Sequence, residues 1–367
     1  MKVLILVPDL AMGGVTTIVK NLVNHLKKRN YQVVLVSIFN RESKFLDHDI
    51  KTLGVQSIFD LPKAILKLRK IFLDEKPDLI HSHTIFSHLL GCLVKKFFLN
   101  NIVLVCTEHG TLSASESKTL YMKIFKKINN VMNLITFVSY ASLKSYKKYK
   151  IFDKEVNSQV IYNGIDVKRF QKNDEARARI RKLYSIDKEA LVFGSFGRLA
   201  PEKNIGLFLN ALARLKENIS FKVFLIGDGA EKENIFKKIQ DLNLKNELIY
   251  IPFTEHIEDY INAIDVLCLS STTEGLPTVI IEAMSCEKIV VSTNVGGVTE
   301  ILPENDHFLV NSNDEIALSK QLVKASLLKN NSEIGSLYHK IAVERFSVEV
   351  MLEQWIQVYE QLCFKHS

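Results

Sequence analysis

Two carboxylates, Glu274 and Glu282, stand at the ends of the run EGLPTVIIE, with seven residues between them. The apolar run Val266–Leu269 before it predicts a buried strand, and Val279–Met284 predicts a helix whose first turn Pro277 fits. The first amides of such a helix are unpaired and favour a phosphate, while carboxylates accept hydrogen bonds from sugar and ribose hydroxyls. The run therefore predicts a site for a phosphorylated sugar. The alternative is a solvated loop glutamate followed by an exposed helix glutamate.

Two permanent cations, Arg198 and Lys203, lie five residues apart around a turn that contains Pro201. The turn follows Leu191–Phe196, a predicted strand, and Lys203 leads into a predicted helix. Arginine binds phosphate oxygens through its planar fork, whereas lysine acts as a point charge. A departing diphosphate carries extra negative charge that such a pair would neutralise. The alternative is a solvated turn.

Glycines and a histidine follow other predicted strands. Gly13-Gly14 would let a ligand approach the backbone where a helix begins, although it lacks the G-x-G-x-x-G spacing of NAD-binding proteins. Gly227-Asp-Gly229 follows the predicted strand Phe221–Ile226. His109, between Glu108 and Gly110 at a strand end, would donate to a substrate hydroxyl or form a structural bond to backbone. The alternative for the double glycine is an ordinary tight turn.

The pattern Asp47-His48-Asp49 has the D-x-D form that binds a divalent metal in some enzymes. It lies in a predicted loop of the first half, far in sequence from the motifs above. We interpret it as surface, and no metal site is predicted.

The elements that must position these residues alternate between strand and helix along the chain. In α/β sheets ligands bind beyond the carboxyl ends of strands, where the residues above lie. The alternation predicts mainly parallel sheets covered on both faces, in two Rossmann-like domains facing each other across a cleft. The hinge is expected at the Asn163-Gly164 turn, between domains 1–165 and 166–349. The predicted strands are Val3–Val7, Val33–Ile38, Asp78–His83, Val103–Thr107, Leu134–Val138, Leu191–Phe196, Phe221–Ile226, Leu248–Ile251, Val266–Leu269 and Ile289–Ser292.

Length and composition fit a two-domain globular protein. The chain has 367 residues, of which 47% are hydrophobic and 24% charged. No apolar run approaches the roughly 20 residues needed to span a bilayer, and the first ten residues predict a buried strand rather than a signal peptide. The five cysteines are widely spaced without a C-x-x-C motif, which favours thiols in a reducing cytoplasm.

Charge is divided unevenly between the two halves. Residues 1–170 carry 26 Lys and Arg against 13 Asp and Glu, a net charge of +13, and the remainder carries 22 against 28, a net charge of −6. Several lysines interleave with apolar residues between 120 and 128, which predicts an amphipathic helix with a basic face. Such a face favours the anionic inner surface of a membrane, whereas no recognition motif supports nucleic acid. The alternative is a solubilising surface. Lysines are concentrated more widely between 118 and 150, at Lys118, Lys123, Lys126, Lys127, Lys144, Lys147, Lys148 and Lys150.

In combination these motifs resemble the retaining glycosyltransferases of family 4, which have the GT-B fold. The resemblance runs from residue 13 to residue 282 in the family's order. It implies a C-terminal domain that binds a nucleotide sugar and an N-terminal domain that binds the acceptor. The matching pieces are Gly13-Gly14, Thr107-Glu-His109-Gly, Asn163-Gly-Ile-Asp166, Gly197-Arg-Leu-x-x-x-Lys203, Gly227-Asp-Gly229 and Glu274-x7-Glu282.

The resemblance also assigns roles to these residues. Arg198 and Lys203 would hold the diphosphate, Glu282 the ribose hydroxyls, and Glu274 the hydroxyls of the transferred sugar. His109 would contact the sugar from the N-terminal domain, so that it acts with Glu274, Arg198 and Lys203 at the reacting bond. The last helix, 350–367, would return to pack on the N-terminal domain. The other donor-binding positions are Gly13, Gly14, Gly197, Gly227 and Phe253, with the amides of Leu276, Thr278 and Val279 at the diphosphate.

Two departures from the family pattern bear on the donor. Val15-Thr16-Thr17 stands where many members carry an acidic residue after the double glycine. Ile251-Pro-Phe253, the segment that would contact the base, lacks the commoner glycine and leaves the identity of the base open.

The resemblance implies transfer of a sugar from a nucleoside diphosphate sugar, expected to be a UDP-sugar, with retention of configuration. The acceptor would be a hydroxyl of a lipid-linked saccharide or oligosaccharide in capsule or O-antigen assembly. No cofactor is expected, and the protein would be cytoplasmic and peripheral on the inner face of the membrane. Two rivals remain: a UDP-sugar 2-epimerase of the same architecture, and a non-catalytic subunit that binds a nucleotide sugar.

Overall fold

The computed structural model describes residues 1–11, 13–39, 50–152, 156–303 and 308–364. The chain forms two compact units, the first made of Met1–Gly164 with Val348–Ser367 and the second of Ile165–Ser347. The first boundary between the two units, after Gly164, lies beside the Asn163-Gly164 turn. The second unit is therefore inserted between two pieces of the first. The Asp47-His48-Asp49 pattern lies outside the described residues.

The first unit contains a parallel sheet of seven described strands in the order β3-β2-β1-β4-β5-β6-β7. Its strands are β1 Lys2–Val7, β2 Gln32–Phe39, β3 Ile50–Val55, β4 Leu79–His83, β5 Val103–Glu108, β6 Leu134–Phe137 and β7 Ser158–Val160. Its helices before residue 165 are α1 Gly14–Lys28, α2 Leu61–Glu75, α3 Ile85–Phe98, α4 Leu120–Ile128 and α5 Tyr140–Lys148.

The second unit contains a parallel sheet of six described strands in the order β10-β9-β8-β11-β12-β13. Its strands are β8 Leu191–Phe196, β9 Phe221–Ile226, β10 Leu248–Ile251, β11 Val266–Leu269, β12 Ile289–Thr293 and β13 Leu309–Val310. Its helices are α6 Asp174–Leu183, α7 Ile205–Lys216, α8 Lys232–Asp241, α9 Ile257–Ala263, α10 Thr278–Ser285, α11 Val298–Ile301, α12 Glu315–Leu327 and α13 Ser332–Phe346. The last helix, α14 Val348–Phe364, belongs to the first unit.

Strand β1 is an example of a strand in a parallel sheet that is covered on both faces. Val3 to Val7 are at most 1% exposed, so neither face of the strand meets solvent. Leu4 and Leu6 enter the core under α2, α3 and α4, whereas Val3, Ile5 and Val7 enter the core under α1 and α14. Trp355 of α14 is 3% exposed within that second core. The returning helix thus completes one layer of the first unit, and it begins at Val348 rather than at residue 350.

All ten predicted strands are present, but three strands lie outside the prediction. β3 and β7 are the edge strands of the first sheet, and β13 is an edge strand of the second. β3 alternates between exposed and buried residues, β7 has only three residues, and β13 has two. β3 has only two buried residues, and β7 and β13 are shorter than four residues, so none of the three contains the continuous apolar run that identified the others.

Candidate functional site

The sheet of the second unit changes its direction of growth between β8 and β11. β9 and β10 lie beyond β8, whereas β12 and β13 lie beyond β11. Loops that leave two such neighbouring strands diverge, and the crevice between them is where α/β sheets bind ligands. Lys203 follows β8 and Glu274 follows β11. Both predicted motifs therefore lie at this point of the second unit.

Lys203 and Glu274 form an ion pair, with Nζ 2.6 Å from Oε1. The Ser271 hydroxyl donates to the same carboxylate oxygen at 2.6 Å, and the Ser270 hydroxyl donates to the Lys203 carbonyl at 3.0 Å. The two charged side chains are 22% and 10% exposed, so water screens their attraction less than on an open surface. The structure thus joins a cation and a carboxylate that belong to separate sequence motifs.

Arg198 lies on the same loop but is held less firmly. Its guanidinium pairs with Glu202 at 2.6 Å, and the arginine side chain is 71% exposed. An exposed pair of this kind contributes little free energy, so Arg198 can exchange its partner for a ligand at small cost. Arg198, Lys203, Gly197 and Ser270 line one small cavity. The two predicted phosphate-binding cations are thus neighbours.

Gly197 and Gly227 bring the loops after β8 and β9 into backbone contact. Gly227 has φ +146°, and a Cβ there would lie 1.8 Å from the Gly197 carbonyl oxygen. The Gly197 N–H also donates to the Ile226 carbonyl at 2.9 Å. Only glycine fits at 227, because any side chain would force the two loops apart.

Gly296, which the sequence analysis did not single out, supports the Glu274 loop in the same way. It has φ +53°, and a Cβ there would lie 1.8 Å from the Glu274 carbonyl oxygen. The Gly297 N–H donates to the Gly275 carbonyl at 3.1 Å. The available signal was a glycine pair shortly after a predicted strand, the rule that had selected the other glycines.

Helix α10 begins at Thr278, so Pro277 immediately precedes the helix instead of lying in its first turn. No backbone carbonyl of the described residues accepts from the Thr278 or Val279 N–H. Leu276 turns its side chain into the core and is 6% exposed. The first amides of α10 are therefore free to bind an anion close to Glu274.

Glu282 lies in the second turn of α10 and has an unusual proton affinity. Loss of solvation raises the pKa of its carboxyl to about 7, although a hydrogen bond with Thr278 and the charge of Arg169 act in the opposite direction. Hydroxyl donors from a ligand would stabilise the ionised form. Phe253, the other predicted nucleotide contact, follows β10 and is 46% exposed.

In the first unit, Gly13-Gly14 lies between β1 and α1, with Gly14 as the first helical residue. A Cβ at either glycine would meet no described atom within 4 Å, so internal packing does not require these glycines. Both residues are exposed. The start of α1 is therefore exposed to solvent, and its contact with a ligand stays a prediction.

His109 has a partner that the sequence analysis did not predict. Its Nε2 lies 2.9 Å from Nδ1 of His83, the last residue of β4, so at this nitrogen the partner is a side chain and not the backbone that the alternative prediction named. Burial and the nearby charge of His88 lower the pKa of His109 to about 3, and burial lowers the pKa of His83 well below its usual value. Both rings are neutral near pH 7. His83 could have been found by the rule that ligand-binding residues follow strands.

A second bonded histidine lies behind this pair. His81 Nδ1 is 2.6 Å from the Tyr359 hydroxyl of α14, and its Nε2 is 2.7 Å from the Thr107 hydroxyl. The His81 and His83 rings lie 4.1 Å apart between centroids. The returning helix is thereby connected to the residues at the end of β4.

The helices on one face of the first sheet carry exposed apolar side chains among basic ones. We call this the α2–α4 surface. Arg69 of α2 lies over the Phe98 ring of α3 at 5.5 Å, which joins the two helices. The exposed apolar residues are Leu66, Leu73, Phe97, Phe98, Leu120 and Ile124, and the exposed basic residues include Lys63, Lys67, Arg69, Lys70, Lys96, Lys123 and Lys127. Met122, Phe125 and Ile128 face the core, as the predicted amphipathic helix requires.

Within the described ranges, no three His, Cys, Asp or Glu side chains are grouped so that they could hold a metal ion. None of the described helices has the length and apolar character needed to cross a bilayer.

Two family models match the chain, one in each half. The model of Glycosyltransferase Family 4 matches residues 12–169, and that of Glycosyl transferases group 1 matches residues 176–341. The chain is 23% identical over 325 residues to N-acetyl-alpha-D-glucosaminyl L-malate synthase of Bacillus anthracis, covering 85% of this chain and 83% of that protein. It is 28% identical over 272 residues to a UDP-Gal:alpha-D-GlcNAc-diphosphoundecaprenol alpha-1,3-galactosyltransferase of Escherichia coli, covering 72% and 70%.

Solved structures show the same fold. The structure of HepE from Anabaena in complex with UDP superposes with a TM-score of 0.86 at 22% identity, covering 98% of this chain and all of that one. A sucrose-phosphate synthase from Thermosynechococcus elongatus also gives a TM-score of 0.86, at 20% identity and full coverage of both chains. The two units therefore have the GT-B fold.

Proposed function

Because the chain belongs to the group 1 glycosyltransferases of family 4, we propose that it transfers a sugar from a UDP-sugar to a lipid-linked saccharide with retention of configuration. The observation that carries this proposal is the Lys203–Glu274 pair at the point where the second sheet changes direction. It joins a cation suited to a diphosphate and a carboxylate suited to sugar hydroxyls within one sheltered site.

The donor would occupy the second unit. Lys203, Arg198 and the amides of Thr278 and Val279 bind the diphosphate, and Glu282 accepts hydrogen bonds from the ribose. Glu274 holds hydroxyls of the transferred sugar, and Phe253 lies near the base. The complexes of HepE with UDP and with UDP-glucose support a UDP-sugar as donor. For Gly13-Gly14 and His109 of the first unit, the roles that the resemblance implies remain predictions.

The environment of Glu274 supports front-face attack over a covalent glycosyl-enzyme. A carboxylate that accepts from both Lys203 and Ser271 is neutralised and hydrogen-bonded, which makes it a poor nucleophile. In front-face attack the leaving phosphate oxygen takes the proton of the incoming hydroxyl. The cations and helix amides stabilise the charge that develops on the leaving diphosphate, so no metal is required in this scheme.

A lipid-linked acceptor is supported by two relatives. The Escherichia coli relative is named for a diphosphoundecaprenol acceptor, and a Campylobacter jejuni relative, 31% identical over 185 residues, for a PP-undecaprenol acceptor. We propose that the first unit binds such an acceptor at an anionic membrane. The α2–α4 surface combines apolar side chains with basic ones, the composition that favours a bilayer interface. Assembly of a surface polysaccharide, in a capsule or O-antigen, would be the pathway.

Transfer assays with a panel of nucleoside diphosphate sugars test this function. Each sugar is incubated with a short-chain polyprenyl diphosphate saccharide and separately without an acceptor, and products are analysed by mass spectrometry and NMR. We expect transfer from one UDP-sugar, and the anomeric bond of the product should have the same configuration, axial or equatorial, as that of the donor. The rate of transfer should be the same in excess EDTA as without it. Turnover without an acceptor would indicate an epimerase. Binding without turnover would indicate a non-catalytic subunit. A product with the opposite anomeric configuration would indicate an inverting transferase.

Two variants make this assay specific. Lys203→Ala removes the proposed diphosphate cation, and Lys216→Ala removes a lysine of a comparable ion pair, with Glu247 at 3.1 Å, elsewhere in the second unit. Loss of transfer in the first and full transfer in the second would support the proposed donor site.

A further inference from the structure

The bond between His83 and His109 leaves one ring nitrogen of each residue without a partner. Among the described residues, neither Nδ1 of His109 nor Nε2 of His83 has a hydrogen-bond partner. Both are buried atoms, and buried polar atoms in folded proteins are nearly always bonded. Two such atoms at opposite ends of one hydrogen-bonded pair call for an explanation beyond packing.

The protons on the two rings depend on each other. A neutral imidazole carries a proton on only one nitrogen, and one of the two facing nitrogens must donate while the other accepts. If His83 Nδ1–H donates, His109 carries its proton on Nδ1 and can donate to a ligand. If His109 Nε2–H donates, the unpaired donor is Nε2 of His83.

Burial decides between these arrangements. His83 is 1% exposed, whereas His109 is partly exposed. An unbonded N–H that no water or ligand can reach costs the full loss of its solvation. Nδ1 of His109 is buried as well, but His109 is the residue of the pair that meets solvent, so a ligand bound at this end of the pair can displace its cover and satisfy the N–H. A bound ligand therefore favours the arrangement with His83 as donor.

We propose that His83 is a positioning residue, which donates from Nδ1 to His109 Nε2 and thereby leaves Nδ1–H of His109 to donate to a substrate hydroxyl. The role of His109 toward the sugar rests on the proposed function, whereas the proton arrangement does not. His81 supports this role of His83, because it is bonded on both sides and lies 4.1 Å from the His83 ring. The His83 ring therefore packs against a neighbour whose own orientation is held by two hydrogen bonds.

NMR on protein labelled with 15N-histidine tests the proton arrangement without any activity. Long-range 1H–15N spectra distinguish protonated from unprotonated ring nitrogens, and His256, whose side chain is 76% exposed, provides a solvent-averaged reference. We expect a proton on Nδ1 and none on Nε2 for both His83 and His109. In His83→Leu, His109 should become a mixture of tautomers. A proton on Nε2 of His109 in the wild-type protein would overturn the proposal.

Kinetics test whether His83 acts through His109. His83→Leu should lower kcat/KM about tenfold, the effect of losing one orienting hydrogen bond, while His83→Asn, which keeps an N–H near the same position, should retain most activity. His83→Leu combined with His109→Ala should be no worse than His109→Ala alone. If the fold-losses in kcat/KM of the two single variants multiplied in the double variant, the proposal would be overturned. Full activity of His83→Leu would also overturn it.

These experiments separate the two proposals. If no nucleotide sugar is turned over, the proposed function fails while the NMR result still decides the proton arrangement. If His83→Leu does not fold, the wild-type spectra and the His83→Asn variant remain decisive.

Discussion

The ammonium of Lys203 and the carboxylate of Glu274 lie 2.6 Å apart although 71 residues separate them in the chain. One residue follows β8 and the other follows β11, two strands that are neighbours in the second sheet. The pair therefore exists only after the sheet has formed. Without a ligand, each of the two charges satisfies the other, so a bound diphosphate sugar must compete with this pairing.

Replacement of Glu274 should affect turnover more than nucleotide binding. In Glu274→Ala we expect kcat to fall about 100-fold or more, close to 3 kcal/mol of barrier, because the transferred sugar loses its carboxylate contact. The affinity for UDP, measured by calorimetry, should stay equal or increase, because Lys203 is released from its partner. Glu247→Ala is the matched control. Near-normal turnover in Glu274→Ala would contradict the assigned role.

Replacement of Lys203 should weaken the binding of the nucleotide, in contrast to replacement of Glu274. In Lys203→Ala the affinity for free UDP should fall about 10- to 100-fold, since charge-assisted contacts contribute about 1.5–3 kcal/mol. The affinity is measured by calorimetry and compared with that of Lys216→Ala, which carries the same truncation in another ion pair. The difference between the two variants is the loss of affinity that is specific to Lys203. Equal affinities of the two variants would exclude Lys203 from the phosphate site.

The raised pKa of Glu282 predicts a pH-dependent affinity for the nucleotide. A protonated carboxyl accepts ribose hydroxyls poorly, so UDP binding should strengthen as the pH rises through about 7 and the carboxyl ionises. The change should approach tenfold per pH unit below the pKa. Because the terminal phosphate of UDP also titrates in this range, Glu282→Gln supplies the baseline. Identical pH profiles for the two proteins would show that Glu282 does not bind the ribose.

The α2–α4 surface predicts binding to anionic vesicles. Reversal of Lys123, Lys126 and Lys127 to Glu should weaken binding roughly 100-fold at low salt, because each basic residue near the surface contributes about 1 kcal/mol. Sedimentation with vesicles that contain phosphatidylglycerol measures the effect. The control carries the same reversal at Lys168, Lys182 and Lys188, exposed lysines of the second unit. Equal losses in both variants would indicate a general effect of net charge.

Tyr359 connects the last helix to the histidine cluster and should matter for stability. Tyr359→Phe leaves Nδ1 of the buried His81 without its partner at 2.6 Å, which should cost about 1–3 kcal/mol of unfolding free energy. Urea denaturation measures the change. Tyr31→Phe is the control, since its hydroxyl meets Glu360 of the same helix at an exposed site and at 3.3 Å. A loss no larger than that of the control would mean that water replaces the bond.

The parts of this structure that could be predicted from sequence are those encoded within a few consecutive residues. The strand Val266–Leu269, the loop to Glu274 and the following helix appear in adjacent residues as an apolar run, polar residues and a second apolar run. The hydrogen bond between His83 and His109 joins residues 26 positions apart and depends on the order of strands in the sheet. The edge strand Ile50–Val55 was not predicted because only two of its six residues are buried.

The contact between two distant motifs is the more important feature of the site that could not be predicted from the sequence. Sequence reasoning assigned Lys203 to phosphate and Glu274 to sugar separately, and nothing in either motif indicates that the two charges meet. Gly296 shows the same limit, because its need for a positive φ arises from the Glu274 carbonyl rather than from its own neighbours.

The placement of α14 has a consequence for synthesis of the protein. The first unit holds residues 1–164, but one of its core layers is incomplete until Val348 and the residues after it are made. The inserted unit has all of its residues available earlier, and its two ends are joined by the bond from Ile165 N–H to the Phe346 carbonyl. Domains usually mature on the ribosome from the N-terminus onward. In this chain, the residues before Gly164 keep part of their apolar surface uncovered until α14 has been made.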